Sequence, residues 1–248
     1  MIETANTAYA DIGNSRIKIF DRVNYLSVSY DKNSLNEVIS FIKNQKISKI
    51  IYSSVNSEFE KILHLKFENV TELLNISDFI LAQKIIDFNQ VSGMGSDRKL
   101  SLFGGLSIAS PPLITIDCGT AVTINVLNND NTCIGGLIFP GLSLQERALK
   151  EMTSGLKNFD LQIPNQILGK TTSEAISIGL YQGLANAISC FVGSIKNEYF
   201  PDDELNIFLT GGSSSLILPL LKSHFQFTFE EKLNLLGMMF LSQQSGLL

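Results

Sequence analysis

The sequence predicts a duplicated α/β fold, and three observations carry that prediction. Of 248 residues, 44% are hydrophobic and 17% charged, with a mean hydropathy slightly above zero. Such a chain can bury a substantial core and is neither disordered nor of low complexity. Runs with the two-residue period of strands alternate with runs of helical period along its length. One short pattern also occurs twice: a β-rich run ending in Asp-x-Gly and a polar residue, then a second alternating run, at Asp11-Ile12-Gly13-Asn14-Ser15 and at Asp117-Cys118-Gly119-Thr120-Ala121. Self-similarity of this kind marks a repeated structural unit. Folding at this length hides roughly 70–75% of the unfolded surface, enough for one large domain or two small ones that share a cleft. The division falls near Ser110–Pro112, giving domains 1–110 and 111–248.

The elements follow in order. Tyr9 to Asp21 reads as a hairpin, with a tight turn at Gly13-Asn14-Ser15 and a returning strand, Arg16 to Phe20, in which apolar and basic residues alternate. Ser34 followed by Glu37 has capping-box spacing, and Leu35, Val38, Ile39 and Ile42 recur behind it at helical spacing. Lys49 to Val55 reads as a buried strand, Glu58 to Phe67 as a helix, and Leu100 to Ser110 as a helix stopped by Pro111-Pro112. The opening then repeats: Leu113 to Ile116 is β-rich and Val122 to Val126 resumes the alternation. Gly135 to Gly141, a long helix from about Ser173 to Tyr199, a strand Ile207 to Leu209 ending at Thr210-Gly211-Gly212, and closing helical segments complete the second half.

Composition also excludes functions. Nineteen basic residues against twenty-four acidic ones leave a formal charge of −5, so there is no uniform positive field to hold nucleic acid. Cys118, Cys133 and Cys190 lie far apart without a CxxC pair, and with only His64 and His224 they offer no zinc-ligand spacing. A reduced, cytoplasmic protein is the simplest expectation. No uninterrupted apolar run approaches the ~20 residues of a membrane span, and Met1 to Ala10 lacks a targeting pattern.

Three motifs are decoys. Gly169-Lys170-Thr171 mimics the end of a phosphate-binding P-loop, but Pro164 stands where its first glycine belongs. Gly93-Met94-Gly95 begins a dinucleotide fingerprint that Arg98 breaks, and Gly212 to Ser215 lacks the second glycine of a nucleophile elbow.

What remains is the pair of Asp-x-Gly turns. Glycine lets backbone N–H groups approach a phosphate chain closely, and neighbouring hydroxyls or amides complete the cradle. The carboxylate at the strand end can hold a hydrated cation that neutralises phosphates. One Asp-Gly pair alone would be an ordinary hairpin turn. Two, each ending an apolar strand, indicate a nucleotide site. Gly95-Ser96-Asp97-Arg98 lies between them; such a pair is usually a solvated surface pair. In a phosphoryl-transfer site Asp97 would serve as base and Arg98 as anion clamp. Thr171 to Glu174 has a second capping-box pattern, and the helix N-terminus it opens could orient an acidic substrate. Gly179, Gly183 and Ala187 form a narrow ridge along that helix, suited to close packing between subunits.

Together these residues resemble type III pantothenate kinases. Asp11-Ile12-Gly13-Asn14-Ser15, Gly95 to Arg98, Asp117 to Thr123, Gly135 to Gly141, Gly169 to Glu174 with Gly179, and Thr210-Gly211-Gly212 occur in that family's order and spacing. The resemblance spans nearly the whole chain. It implies two ribonuclease H-like domains of the actin-like ATPase type with a central cleft. It further implies a cytoplasmic homodimer that transfers the γ-phosphoryl of ATP to the primary hydroxyl of pantothenate, the first step of coenzyme A synthesis.

Carried over by motif, Asp11, Ile12, Gly13, Asn14, Ser15, Arg16, Ile17 and Lys18 form the first phosphate loop, with Asp11 near the divalent cation. Asp97 matches the general base, and Gly95, Ser96, Asp97 and Arg98 the pantothenate contacts. Asp117 matches a monovalent-cation ligand, Thr120 an ATP contact and Thr172 a pantothenate contact. Mg2+ with ATP, and K+ or NH4+, are the implied cofactors. The chain departs from the family where a tyrosine is common nine residues before the catalytic Asp and Asn-Pro follows it; here stand Phe88 and Gln90-Val91. The alternatives are a non-catalytic regulator like the Bvg accessory factors, which resemble these kinases, and a kinase for another small hydroxylated acid.

Overall fold

The alternation of Tyr9 to Phe20 closes into a hairpin of β1 (Thr7–Ile12) and β2 (Arg16–Phe20), pairing Asp11 with Lys18 and Ile12 with Ile17. The computed structural model describes residues 6–31, 33–67, 71–80, 82–221 and 225–247. Residues 1–5, on which the expectation about targeting partly rests, and His224 lie outside these ranges. Backbone packing divides the chain into two units. The first takes the chain up to Asp87, then Ser92–Ile108 and the stretch from Lys232 onward; the second takes Phe88–Val91 and Ala109–Glu231.

In the first unit the hairpin is extended by β3 (Tyr25–Ser29), a strand with no clear alternation. Then follow α1 (Ser34–Asn44), β4 (Lys49–Ser54), α2 (Ser57–Phe67), β5 (Glu72–Asn75), the short α3 (Ser77–Ile80) and α4 (Ser96–Ile108). The five strands lie in the order β3-β2-β1-β4-β5, with β1–β2 and β2–β3 antiparallel and β1–β4 and β4–β5 parallel. Successive side chains point to opposite faces, so Ala8, Ala10 and Ile12 share a core with Val38 and Ile42 of α1 and Phe59 and Leu63 of α2. Tyr9 and Asp11 therefore face the other side.

The capping box expected at Ser34 and Glu37 does not form. Ser34 is the first helical residue, and Asp31, three residues earlier, satisfies the helix end: its Oδ1 accepts from the backbone N–H of Asn33 at 2.7 Å and of Ser34 at 2.9 Å. A carboxylate at that position reaches the orphan donors and complements the positive helix end. Helix α4 also starts earlier than its apolar periodicity predicts, because Lys99 N donates to Gly95 O at 3.2 Å. Asp97 and Arg98 consequently sit in a helical first turn.

The second unit repeats the plan: β6 (Leu113–Cys118), β7 (Ala121–Leu127), β8 (Cys133–Pro140), α5 (Leu142–Met152), α6 (Thr172–Tyr199), β9 (Asn206–Thr210), the short α7 (Ser214–Ile217) and β10 (Phe227–Phe229). Its strand order is β10-β9-β6-β7-β8, the same sequence of neighbours read from the other edge. Ile114, Ile116 and Cys118 pack against Leu184, Ala185 and Ile188 of α6. Thr171 caps α6 as its spacing predicts, accepting from Glu174 N while the Glu174 carboxylate accepts from Thr171 N. Among the described residues α6 alone is long and apolar enough to cross a membrane. A stripe of it, Leu180, Leu184, Ile188 and Val192, is buried within this unit.

The last helix, α8 (Leu233–Gln244), does not stay with the second half, where a division at 110/111 would put it. It packs along α4 because each helix offers the other a glycine: a Cβ at Gly237 would run into the Leu100 carbonyl, and one at Gly104 into the Leu233 carbonyl. Missing side chains let two backbones approach closely. Phe103 and Phe240 extend the contact, with ring centroids 6.5 Å apart.

Candidate active site

Asp11 is the second-last residue of β1, flanked by Lys18 on β2 and Ser53 on β4. Asn234, in the first turn of α8, donates from Nδ2 to Asp11 Oδ2 at 3.2 Å. Packing on this face strips water from the carboxyl and pushes its pKa up. Lys18 and the Asn234 N–H pull it down, the nearby Asp97 pushes it up further, and the net direction is upward.

Asp97 comes to the same place on α4. Ser96 Oγ lies 3.0 Å from Ser53 Oγ, and Ser53 is buried, which ties the first residue of α4 to the end of β4. A Cβ on Gly95 would lie 2.5 Å from Asp97 Oδ1, so the carboxylate folds back over a residue that has no side chain. The result is two carboxylates on one face of the sheet, with the Lys18 ammonium acting on one of them. This is a place suited to a cation and to an exchangeable proton.

The turn after β1 is held from both ends. Gly13 N donates to Arg16 O at 3.0 Å, and a Cβ at Gly13 would stand 3.2 Å from that oxygen. The Tyr30 hydroxyl donates to the Gly13 carbonyl at 2.8 Å, and its ring packs on Phe59 with centroids 5.4 Å apart. Burial, with the Asp11 charge adding to it, pushes the Tyr30 phenol up to about 12, so it stays a donor. Asn14, Ser15 and Arg16 are exposed beyond this clamp, leaving the turn's outer rim open to a ligand.

The second unit carries the equivalent constellation. Asp117 is the second-last residue of β6, flanked by Thr123 on β7 and Thr210 on β9. Gly211 has φ +97°, and a Cβ there would run into Asp117 Oδ1 and the Cys118 backbone. Gly141 N donates to Thr120 O at 2.9 Å, and a Cβ at Gly141 would run into the Gly119 carbonyl. Glycines thus bring two chain segments, at Gly141 and Gly211, against the end of β6 and the turn that bears Thr120. Thr172 is exposed in the first turn of α6. A polar cavity of about 360 Å³ lies at that helix end, lined by Asp160, Gln162, Thr171, Ser173 and Glu174 among others.

The first unit therefore gathers Asp11 to Lys18 and Gly95 to Arg98, and the second holds Asp117, Thr120 and Thr172. Sequence reasoning missed Ser53, Tyr30 and Asn234. Ser53 stands at the strand position equivalent to Thr210, so carrying the repeat one strand further would have found it. Asn234 interrupts an otherwise apolar run, Leu233 to Met239, and that interruption was its signal. Tyr30 left no local trace.

A profile of the type III pantothenate kinase family matches residues 9–194. The chain is 32% identical over 253 residues to a type III pantothenate kinase of Sulfurihydrogenibium sp., an alignment covering 94% of this chain and 98% of that protein. It is 30% identical over 189 residues to a type III pantothenate kinase 1 of Francisella tularensis subsp. holarctica, covering 71% and 72%. Among solved structures, a Campylobacter jejuni protein described as a candidate Baf family transcriptional activator superposes with a TM-score of 0.65 at 20% identity, covering 97% of this chain and all of that one. The activator of 2-hydroxyisocaproyl-CoA dehydratase from Clostridium difficile superposes with a TM-score of 0.52 at 12% identity, covering 97% and 96%. At those identities the superpositions speak for the fold, which is of the actin-like ATPase type.

Proposed function

The chain belongs to the type III pantothenate kinase family, and from that premise we propose that it transfers the γ-phosphoryl of ATP to the primary hydroxyl of pantothenate, opening coenzyme A synthesis. The observation that carries the reading is the convergence of Asp11 and Asp97 on one face of the first sheet, Asp11 held by Asn234 and Asp97 given room by Gly95.

Asp97 accepts the proton of the attacking hydroxyl as the bond to phosphorus forms, and Arg98 with Ser96 holds the acidic acceptor. Thr172 adds a contact to pantothenate, and Phe88 offers apolar surface where relatives commonly have a tyrosine. The turn from Gly13 to Ser15, with Lys18, and the turn at Gly119-Thr120 bind the phosphate chain through backbone N–H groups and hydroxyls.

Asp11 fits a divalent cation: it is a carboxylate beside a second hard oxygen, Asn234 Oδ1, which is buried and has no hydrogen-bond partner among the described residues. Mg2+ bound there supplies charge neutralisation of the phosphates. Asp117 fits a monovalent cation, K+ or NH4+, because Gly119 and Gly211 leave room around its Oδ1 that a side chain would fill. A homodimer in the cytoplasm, without nucleic-acid or membrane partners, completes the proposal. The dimer is supported by Gly179 and Gly183, which are exposed on α6 with nothing near enough to meet a Cβ.

The test is a coupled assay with ATP, Mg2+ and K+, run with pantothenate beside pantoate and simple sugars. Turnover confined to pantothenate is the expected result. Turnover only with another acceptor would assign a different kinase, and none with any would point to a non-catalytic regulator.

A further inference from the structure

We propose that Asn234 is the positioning residue for Asp11: its amide N–H fixes the carboxylate, and its orphan carbonyl oxygen is taken up by the water shell of the cation that Asp11 holds. The proposal rests on the reading of Asp11 given above. Three observations carry it.

The first is the contact itself. Asn234 Nδ2 stands 3.2 Å from Asp11 Oδ2. An ionised carboxylate only accepts, so the nitrogen is the half of the amide that faces it.

The second is the other half of the amide. Asn234 is 8% exposed, and its Oδ1 is buried without a hydrogen-bond partner among the described residues. A buried acceptor left unmade is unfavourable, and an apolar residue in its place would avoid that. An amide here makes physical sense where its oxygen gains a partner in the working enzyme. A hydrated divalent cation brings such donors, since Mg2+ keeps several of its waters and uses only one or two carboxylates.

The third is rigidity. Leu233, immediately before Asn234, has its backbone carbonyl against Gly104 of α4, and Gly237 lies against the Leu100 carbonyl. Lys232, two residues before Asn234, places its ammonium 4.6 Å from the centroid of the Phe20 ring and 5.8 Å from that of Tyr25. Asn234 is therefore mounted on a backbone fixed to both α4 and the sheet, and an orienting group is only as good as its support.

The experiment compares Asn234→Thr with Asn234→Val, two side chains of nearly equal shape of which only threonine can donate to a carboxylate and accept from water. Mn2+ binding is followed by electron paramagnetic resonance in the presence of a non-hydrolysable ATP analogue, beside steady-state kinetics. Asn234→Thr is expected within about threefold of the wild type in Mn2+ affinity and kcat. Asn234→Val is expected at least tenfold weaker in both, with the pantothenate KM changed less than twofold. Equal behaviour of the two variants, whether both intact or both impaired, would overturn the proposal, because packing alone would then explain the position. Far-ultraviolet circular dichroism and melting of both proteins check that they fold, and an unfolded valine variant beside a working threonine one counts in favour only if Asn234→Leu folds and repeats the Mn2+ loss; a folded Asn234→Leu with normal Mn2+ affinity counts against. The Mn2+ measurement needs no acceptor, so it stands apart from the identity of the substrate: a wild type that binds Mn2+ with nucleotide but does not turn over pantothenate would sink the substrate assignment and leave this one in force.

Discussion

Ser53 and Ser96 bring their hydroxyl oxygens to 3.0 Å, joining the end of β4 to the start of α4. Asp11 lies beside Ser53 in the sheet and Asp97 follows Ser96 in the helix, so this bond ties together the two segments that carry the carboxylates. Misplacement of a catalytic group by about 1 Å can cost up to ~100-fold. Ser53→Ala is expected to lower kcat roughly tenfold while leaving the KM for ATP within twofold. Steady-state kinetics with both substrates varied decides it, and a kcat within twofold of the wild type would remove the tether from the mechanism.

Much of this was legible in the chain. Both Asp-Gly turns announced themselves because a strand, a tight turn and a strand are local events whose chemistry is written in adjacent residues. The long helix α6 and its Thr171–Glu174 cap were legible for the same reason. What local reasoning missed depends on distance. Asn234 meets Asp11 across 223 positions, and Ser53 meets Ser96 across 43. No window of periodicity holds such pairs. At Ser34 the capping pattern was present, yet Asp31 accepts from Ser34 N, the group Glu37 would have taken, and Glu37 N donates to the Asn33 carbonyl. Placing α8 needed knowledge that Gly104 and Gly237 complement each other, which single glycines in apolar runs do not disclose.

Asp97 is the base in the proposed reaction, and general bases contribute about 10²–10⁴-fold. Asp97→Asn keeps the shape and the fold over Gly95 but cannot take the proton. We expect kcat to fall by about that factor with ATP affinity, measured by calorimetry, near that of the wild type. Near-normal turnover would refute the role.

The Tyr30 hydroxyl donates to the Gly13 carbonyl and also meets the Asn56 side chain, while its ring packs on Phe59. Tyr30→Phe separates the two. Losing one hydrogen bond of about 1 kcal/mol corresponds to a rise of about fivefold in the KM for ATP, with the pantothenate KM unchanged. Equal rises in both would show that the substitution disturbs the unit as a whole.

Asp117 is the proposed monovalent-cation ligand, and Asp117→Asn keeps an oxygen but removes the charge. Half-maximal activation by K+ is expected to need at least tenfold more K+, read from rate against K+ concentration at saturating substrates. An unchanged K+ response would take Asp117 out of that role.

Asp11 makes a prediction in the opposite sense for stability. Burial outweighs Lys18 and Asn234, so its carboxyl sits above the ordinary value of 3.8. The folded protein holds a proton there more readily than the unfolded chain does. The group's contribution is therefore most favourable below 3.8 and is lost as the pH rises through the raised folded value. Above that raised value the folded state bears the full cost of the buried charge. Asp11→Asn retains an oxygen for the Asn234 N–H and removes that cost. The variant, freed of metal by EDTA and without nucleotide, is expected to be more stable at pH 7 by on the order of 1 kcal/mol, or about 2–4 °C in Tm. The gap should narrow toward pH 4, and phosphoryl transfer should be lost. Scanning calorimetry across that range decides between the terms, since a Tm at pH 7 equal to or below that of the wild type would mean that Lys18 and Asn234 already compensate the desolvation of Asp11.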